Sequence, residues 1–214
     1  MDDPTDPLGV ADPDDGAGAA KRELRRQVVA RRDAMAGAQR LAAGAALRAR
    51  LTALPPLTAA RTVLCFASFR TEVDTAPLVA HLLGRGVTVA LPRMIGPRHI
   101  EAFAVTDPAA DLVPGRYDIP EPREGLPVVE PAAVDVVIVQ GSAFDTRGGR
   151  LGYGGGFYDA FLARTRPDTR RIGICFELQV VPRVPREPHD LCVDVVVTER
   201  RVIETGCRRD GNRT

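Results

Sequence analysis

The sequence contains no tryptophan, and aromatic residues make up only 5% of its 214 residues. Its apolar residues are mostly valine, alanine, leucine and isoleucine, which favours a valine-rich sheet covered by helices over an aromatic-rich barrel. The net charge is only +1, so the total charge gives no reason to expect a polyanionic or membrane partner. No apolar run approaches the ~20 residues of a transmembrane helix, and the amino terminus lacks a signal-peptide pattern. We therefore expect a cytoplasmic protein.

Cysteine is scarce as well, and the positions Cys65, Cys175, Cys192 and Cys207 show no C-x-x-C spacing. The first three lie in or beside apolar runs, where a free cysteine usually behaves as a small buried hydrophobic residue. The sequence therefore gives little weight to a metal or disulfide role for cysteine. It also lacks a recognisable Ser/His/Asp or Cys/His arrangement for nucleophilic catalysis.

The order of the segments predicts the organisation of the chain. Residues 1–19 are rich in Asp, Pro, Gly and Ala, which bury too little apolar area to fold, so we expect a disordered acidic leader. A helical pattern begins at about Ala20, and a second helix is expected over residues 38–53. Further helices are predicted over residues 75–83 and 157–164, and strands over residues 61–66, 87–91, 100–105, 134–140, 171–176 and 193–198.

This alternation of strands and helices predicts an α/β fold. We expect a three-layer sandwich with a mainly parallel sheet and a helical N-terminal extension. The simplest division is a single catalytic domain over residues 20–200, followed by a basic C-terminal tail over residues 201–214.

The most informative segment is the glycine loop, residues 148–156, in which six of nine residues are glycine. Glycine loses the most backbone entropy on ordering, so this density indicates a backbone with a special task. A strand, a glycine-rich turn and a helix start together point N–H groups at an anion. The loop matches neither G-x-x-x-x-G-K-[ST] nor G-x-G-x-x-G. A flexible surface loop is the alternative, although such loops rarely interleave glycines with Arg150, Tyr153, Phe157, Tyr158 and Asp159.

The run from Gly149 to Asp159 closely resembles the signature of the 5-formyltetrahydrofolate cyclo-ligase family, also called methenyltetrahydrofolate synthetases. Other segments resemble blocks of that family in the same order, and together they extend roughly from Lys21 to Glu199. These segments are residues 21–25 with Arg31 and Arg32, then residues 71–75, 91–93, 117–122 and 188–199.

The resemblance implies an activity and its small-molecule partners. The expected reaction is the ATP-dependent cyclisation of 5-formyltetrahydrofolate to 5,10-methenyltetrahydrofolate, with release of ADP and phosphate. Mg²⁺ is expected as the cofactor that accompanies ATP. No nucleic-acid or membrane partner is expected, and we expect a monomer.

The resemblance also assigns site residues. It implies catalytic roles for Lys21, Arg150 and Tyr158, and Mg²⁺ binding by Asp159 and Asp190. It implies ATP binding by Lys21, Arg22, Glu23, Leu24, Arg25, Gly149, Arg150, Leu151, Gly152, Tyr153, Gly154, Gly155, Gly156, Phe157 and Tyr158. It implies folate binding by Ala67, Glu72, Tyr117, Tyr153, Gly154, Gly155, Gly156 and Phe157.

Each of these assignments has an ordinary structural alternative. Lys21 and Arg25 are i, i+4 neighbours that could face one anion, but they could also form a solvated basic face. Asp159 could be a helix-start carboxylate favoured by the helix dipole, and Asp190 could be a turn residue. Glu72 follows a strand, where open α/β sheets place ligand groups, yet it could belong to a plain surface loop.

Some positions depart from the family pattern, and other functions stay open. Phe157 stands where many relatives have Tyr, Tyr153 where some carry Arg, and Ala160 where bacterial relatives often have Arg. A catalytically silent nucleotide- or folate-binding module is one alternative function. A sugar-phosphate isomerase or CoA-transferase-like enzyme is another, and it would turn over without ATP.

Overall fold

The computed structural model of the chain describes residues 16–115, 118–187 and 190–207. Its helices are α1 (Gly16–Asp33), α2 (Gly37–Thr52), α3 (Pro55–Ala59), α4 (Ala76–Gly84), α5 (Pro108–Asp111) and α6 (Phe157–Leu162). Its strands are β1 (Thr62–Leu64), β2 (Thr88–Gly96), β3 (His99–Val105), β4 (Leu112–Pro114), β5 (Pro120–Pro122), β6 (Val128–Val129), β7 (Val136–Val139), β8 (Ala143–Asp145), β9 (Arg150–Leu151), β10 (Arg170–Ile174), β11 (Val180–Val181), β12 (Val195–Val197) and β13 (Val202–Glu204). Most of the predicted leader, Tyr117, His189 and the chain after residue 207 lie outside the described residues.

An eight-stranded sheet in the order β13-β12-β10-β7-β1-β2-β3-β6 forms the centre of the fold. The five strands from β12 to β2 in this order are parallel, and Val63 of β1 pairs with Val89 on one side and Val136 on the other. All four residues of β7 are buried. Because successive strand residues point to opposite faces, both faces of the sheet are covered. The predicted α/β class with a mainly parallel sheet is confirmed.

The edges of this sheet differ from the sequence prediction. Strands β2 and β3 form one antiparallel hairpin, and β2 continues to Gly96 because Met94 still pairs with Ile100 of β3. Strand β13, which lies in the segment predicted as a tail, pairs antiparallel with β12 through Val197 and Val202. A strand of three residues carries too little periodicity to be recognised. Near the amino terminus of the chain, helix α1 is already formed at Gly16, whereas the predicted helix begins at about Ala20.

Helix α1 packs on a second, smaller sheet with the order β11-β8-β9. Its Val28 is buried in a separate apolar cluster with Ala143 of β8, Leu151 of β9 and Val181 of β11. Since β9 lies within the glycine loop and is followed directly by residues 152–156, this packing fixes α1 beside that loop. Within the described residues, no helix combines the length and apolar character needed to cross a membrane.

The cysteines correct one expectation. Cys192 and Cys207 form a disulfide, with their Cα atoms 6.3 Å apart. Strand β13 reverses the chain along β12 and so brings the residue that follows it back to the residues that precede β12. The sequence gives little weight to a disulfide, and for this pair that prediction is wrong. Cys65 and Cys175 are free and buried, as expected.

Candidate active site: two adjoining cavities at the carboxyl edge of the sheet

The candidate site lies where β1 and β7 end. From β1 the chain continues to β2 on one side, whereas from β7 it continues to β10 on the other, so a crevice opens between the carboxyl ends of these strands. The loop after β1 carries Ala67 and Glu72, and the segment after β7 begins with Gln140 and leads to the glycine loop. These two segments form walls of two adjoining cavities.

The first, the apolar cavity, has a volume of about 120 Å³. Its apolar wall comes from the loop after β1, the β2–β3 hairpin, the segment before β5 and the start of α6; it includes Phe66, Pro92, Met94, Ile100, Ile119 and Phe157. Pockets of this kind, apolar with a few placed polar groups, suit a flat heterocycle. The polar groups here include Arg32, Glu72, Glu121 and Tyr153.

Three of these polar groups form one hydrogen-bonded network. Arg32 donates from Nη1 to the Tyr153 hydroxyl at 2.9 Å, and that hydroxyl donates to Glu72 Oε1. The other oxygen of Glu72 accepts the Phe69 backbone N–H at 3.0 Å. The Tyr153 hydroxyl and the Phe69 N–H therefore both point toward the carboxylate of Glu72. This arrangement holds Glu72 in one orientation in the wall of the cavity.

Burial sets the protonation behaviour of this network. Burial raises the pKa of Glu72, although the hydrogen bonds from Tyr153 and Phe69 and the charge of Arg32 act against the rise. Burial also raises the pKa of Tyr153, and the charge of Glu72 raises it further. Tyr153 is therefore a hydrogen-bond donor at neutral pH and not a phenolate.

The second, the polar cleft, has a volume of about 430 Å³. Residues 152–156 of the glycine loop form part of its wall, together with Lys21 and Arg25 of α1, Arg150 of β9 and Asp159 of α6. Arg25 donates from Nε to the Gly152 carbonyl at 3.0 Å, so α1 holds the loop at its start. In the part of the chain that the structure describes, the backbone N–H groups of residues 153–155 have no acceptor. Such groups can bind an anion.

Two cations of the polar cleft, Lys21 and Arg150, are paired with carboxylates. Lys21 Nζ lies 2.6 Å from Glu187 and 2.8 Å from Asp190, and Arg150 Nη2 lies 2.6 Å from Asp159. Burial alone would lower the pKa of Lys21, but the hydrogen bonds and charges of the two carboxylates outweigh it, and the pKa is raised. Lys21 is therefore charged at neutral pH and can bind an anionic ligand.

The two cavities share a wall formed by Gln140, Tyr153, Phe157 and Tyr158. Among the described residues, the Tyr158 hydroxyl is buried and has no hydrogen-bond partner. Buried polar groups almost always have a partner, so this hydroxyl fits a contact with a ligand. Burial raises the pKa of Tyr158, which keeps the hydroxyl protonated and able to donate.

Most of the residues predicted from the sequence lie at these cavities. Ala67, Glu72, Tyr153 and Phe157 line the apolar cavity, whereas Gly154, Gly155 and Gly156 line only the polar cleft. Lys21, Arg25, Asp159 and Asp190 line the polar cleft, as do Arg150, Leu151, Gly152, Tyr153, Phe157 and Tyr158. The predicted contact at Tyr117 falls outside the described residues.

Other predicted ATP-binding residues lie away from the cleft wall. Arg22 and Glu23 are exposed, and Leu24 packs beside the small core under α1. Gly149 belongs to the β8–β9 turn, where its N–H donates to Asp145 at 2.8 Å. A Cβ on Gly149 would lie 2.4 Å from the Asp145 carboxylate, so this glycine serves the turn.

The sequence interpretation did not assign a role to several residues of the two walls. Gln140 directly follows the buried strand β7, and this position at a carboxyl strand end was an available signal. Glu187 and Arg98 line the polar cleft, and Glu121 and Arg32 line the apolar cavity. Arg32 and Glu121 lie in segments that resemble family blocks, so a signal was available for them, whereas Glu187 and Arg98 reach the cleft only through long-range packing.

The two carboxylates predicted to bind magnesium already have protein partners. Asp159 accepts from Arg150 and from the Leu191 backbone N–H, and Asp190 accepts from Lys21. The described residues contain no group of three or more His, Cys, Asp and Glu side chains that could hold a metal. Magnesium is usually bound by one or two carboxylates together with substrate phosphates and water. The cleft therefore fits a magnesium ion that arrives with a nucleotide better than a resident one.

The model of the 5-formyltetrahydrofolate cyclo-ligase family matches residues 17–199 of this chain. The chain belongs to this family. It is 36% identical over 178 residues to the 5-formyltetrahydrofolate cyclo-ligase of Escherichia coli K12. The aligned region covers 81% of this chain and 97% of that relative. The mouse enzyme of the same name is 28% identical over 193 residues and covers 85% and 94% of the two chains.

A solved structure shows the same fold. The NMR structure of 5,10-methenyltetrahydrofolate synthetase from Aquifex aeolicus has a TM-score of 0.78 and 34% sequence identity to this chain, and covers 90% of this chain and 96% of its own. The resemblance stated from the sequence is thereby confirmed.

Proposed function

We propose that this chain converts 5-formyltetrahydrofolate and ATP into 5,10-methenyltetrahydrofolate, ADP and phosphate. Membership of the cyclo-ligase family supports this activity. The structural observation that carries it is the shared wall, since one cavity is apolar and the other presents cations and backbone N–H groups. Two substrates that exchange a phosphoryl group must lie side by side, and these two cavities adjoin.

We infer that the folate occupies the apolar cavity and that the triphosphate of ATP occupies the polar cleft. Apolar side chains such as Met94, Ile100 and Phe157 can enclose a pterin ring, and the carboxylate of Glu72 can accept hydrogen bonds from the ring N–H groups. In the cleft, the backbone of residues 153–155 with Lys21 and Arg150 matches a polyphosphate in charge.

The chemistry needs positioning and charge neutralisation rather than a protein nucleophile. The formyl oxygen attacks the γ-phosphorus, its bond to the β-phosphate oxygen breaks, and ADP leaves. The formyl carbon is then a phosphorylated iminium, because N5 shares its lone pair. The anilino nitrogen N10 attacks this carbon and loses its proton, the carbon–oxygen bond breaks, and phosphate leaves with the bonding pair.

The chain's own residues can assist these steps from the shared wall and the cleft. Lys21 and Arg150 stabilise the negative charge that spreads over the transferred phosphoryl group. The Tyr158 hydroxyl, which is buried without a partner among the described residues, can donate to an oxygen at the point where the cavities meet. Lys21 and Arg150 must then break their ion pairs with the carboxylates and bind phosphate oxygens instead.

Asp159 and Asp190 are the residues that would hold magnesium, at the place where Lys21 and Arg150 release them. The ion would supply further neutralisation of the phosphate charge. We also infer that the enzyme acts as a monomer in the cytoplasm.

A direct assay tests the proposed function. Purified protein is mixed with ATP, magnesium and 5-formyltetrahydrofolate, and methenyl absorbance is recorded together with ADP. Product should form only when ATP and a divalent cation are both present. Equal turnover without ATP would contradict the proposal and favour the isomerase-like alternative, and absence of turnover with intact ligand binding would favour a silent binding module.

A further inference from the structure

Arg32 is a charged residue of the apolar cavity to which the reaction above assigns no part. It lies in the last turn of α1 and is only 4% exposed, although it carries a full positive charge. Arginine is seldom buried to this extent unless it is paired. Burial would lower its pKa, but the hydrogen bond to Tyr153 and the charges of Glu72 and Asp33 more than offset this, and the pKa is raised. The burial of this charge indicates that Arg32 has a role in the cavity.

The guanidinium of Arg32 connects three parts of the site. It donates from Nε to the Thr71 hydroxyl at 3.0 Å and from Nη1 to the Tyr153 hydroxyl at 2.9 Å. Thr71 immediately precedes Glu72 and donates in turn to Asp33 of α1. Tyr153, which lies in the glycine loop, donates a hydrogen bond to Glu72. Arg32 thus fixes Glu72 in two ways. It holds Thr71, the preceding residue of the chain, and it holds Tyr153, which donates to Glu72.

We propose that Arg32 is a positioning residue that holds Glu72 as an oriented carboxylate for the N–H donors of the folate ring. This inference rests on the proposed function, and it adds a residue that acts on the substrate only through Tyr153 and Thr71. Arginine suits this role because its planar fork offers separate donors in fixed directions. A lysine ammonium is a single point and cannot reproduce the same pair of contacts.

The test compares Arg32→Met and Arg32→Lys with Arg31→Met, a control on the exposed neighbouring residue. Methenyl formation is measured with each substrate varied in turn. Loss of a charge-assisted network should raise KM for 5-formyltetrahydrofolate by roughly ten- to a hundredfold in Arg32→Met. Arg32→Lys should lie between this variant and the wild type, KM for ATP should change by less than about a factor of two, and Arg31→Met should match the wild type.

A pH profile separates positioning from general damage. The charged or titratable groups facing Glu72 are Arg32 and Asp33 from α1, Tyr153 from the glycine loop and Tyr158 from α6, and Arg70 and Glu121 line the same cavity. Because Arg32 lowers the pKa of Glu72, Arg32→Met should move the rise of KM at acid pH to a higher pH. Blanks without ATP correct for uncatalysed acid cyclisation.

Coupling with Tyr153 provides a second measurement, which also applies if Arg32→Met does not fold. Arg32→Lys combined with Tyr153→Phe should cost less than the product of the two single effects, because both act on Glu72. An unchanged KM for folate in both Arg32 variants, or equal increases in both KM values, would overturn the role of Arg32 while the wild type still turns over. A wild type that forms no methenyl product would overturn the proposed function itself.

Discussion

The two cavities use charge in opposite ways. In the apolar cavity, Arg32 and Tyr153 donate in one direction toward Glu72, and these contacts are complete before any ligand binds. In the polar cleft, Lys21 and Arg150 are paired with carboxylates, which would compete with the proposed phosphate ligand. The donors of the apolar cavity are therefore already in place around Glu72, whereas the cations of the polar cleft would have to exchange partners to bind the proposed phosphate.

This difference predicts how substitutions in each cavity affect the enzyme. A preorganised network loses affinity for one substrate when a member is removed. An exchangeable ion pair that loses one partner leaves the other charge uncompensated and also removes a ligand contact. Substitutions in the cleft should therefore have the larger effects.

The largest effect is expected for Lys21→Met. It removes the cation shared by Glu187 and Asp190 and leaves two carboxylates facing the triphosphate. We expect kcat/KM for ATP to fall by about a hundredfold, from the loss of a charge-assisted contact and the added repulsion, with KM for folate nearly unchanged. The control is Arg26→Met on the exposed face of α1. Equal losses for both substrates would show that the cavities are not separate.

Asp159→Asn tests whether the carboxylates of the cleft change partners when ATP binds. The change keeps the size of the side chain but removes the charge that a hard cation requires. We expect a fall of about thirtyfold at low magnesium, from the loss of one charged ligand, and partial recovery at high magnesium. A purely structural Asp159 would act through its contacts with Arg150 and the Leu191 N–H, so its replacement would lower activity by the same factor at every magnesium concentration. Asp168→Asn, at an exposed position, serves as the control.

Tyr158→Phe examines the wall that both cavities share. If its hydroxyl donates to a reacting oxygen, kcat should fall by about tenfold, the usual effect of one lost hydrogen bond. Because the hydroxyl has no partner among the described residues, its removal should leave the melting temperature unchanged or slightly raised. An unchanged kcat would show that the hydroxyl does not contact the reacting groups.

Glu72→Gln should change kcat least of these variants, but it should raise KM for 5-formyltetrahydrofolate at neutral pH at least as much as Arg32→Met does, and it should have the clearest effect on pH dependence. Burial raises the pKa of Glu72, so the carboxylate is lost as pH falls through that raised value, and KM for folate should rise on this acid side. Gln cannot titrate, so the variant should show a flat KM profile. An acid rise that survives in Glu72→Gln would assign it to another group, with Glu121 the first to examine.

The sequence predicts well those features that local patterns encode. The continuous apolar run at β7 indicated a strand buried on both faces, and residues 152–156 indicated the loop that lines the polar cleft. Both follow from short-range chemistry, that is, from apolar continuity and from glycine's backbone freedom.

The features that the sequence left unpredicted depend on packing between distant segments. Arg32 reaches Tyr153 across 121 positions, and Lys21 reaches Asp190 across 169 positions. The short strand β13 and its disulfide neighbour Cys207 were missed because three residues give no measurable period. Gly149, by contrast, was assigned to ATP because a turn glycine and an anion-binding glycine look alike in sequence.

We propose that the formyl oxygen in one cavity takes the γ-phosphoryl group from ATP in the other. This transfer is tested most directly with 5-formyltetrahydrofolate labelled with oxygen-18 in the formyl group. Turnover is run with wild-type enzyme, ATP and magnesium in unlabelled water, and the released phosphate is analysed by mass spectrometry. We expect each released phosphate to carry one labelled oxygen, because the oxygen of the formyl group leaves with the phosphate. Label found in water, with unlabelled phosphate, would contradict it.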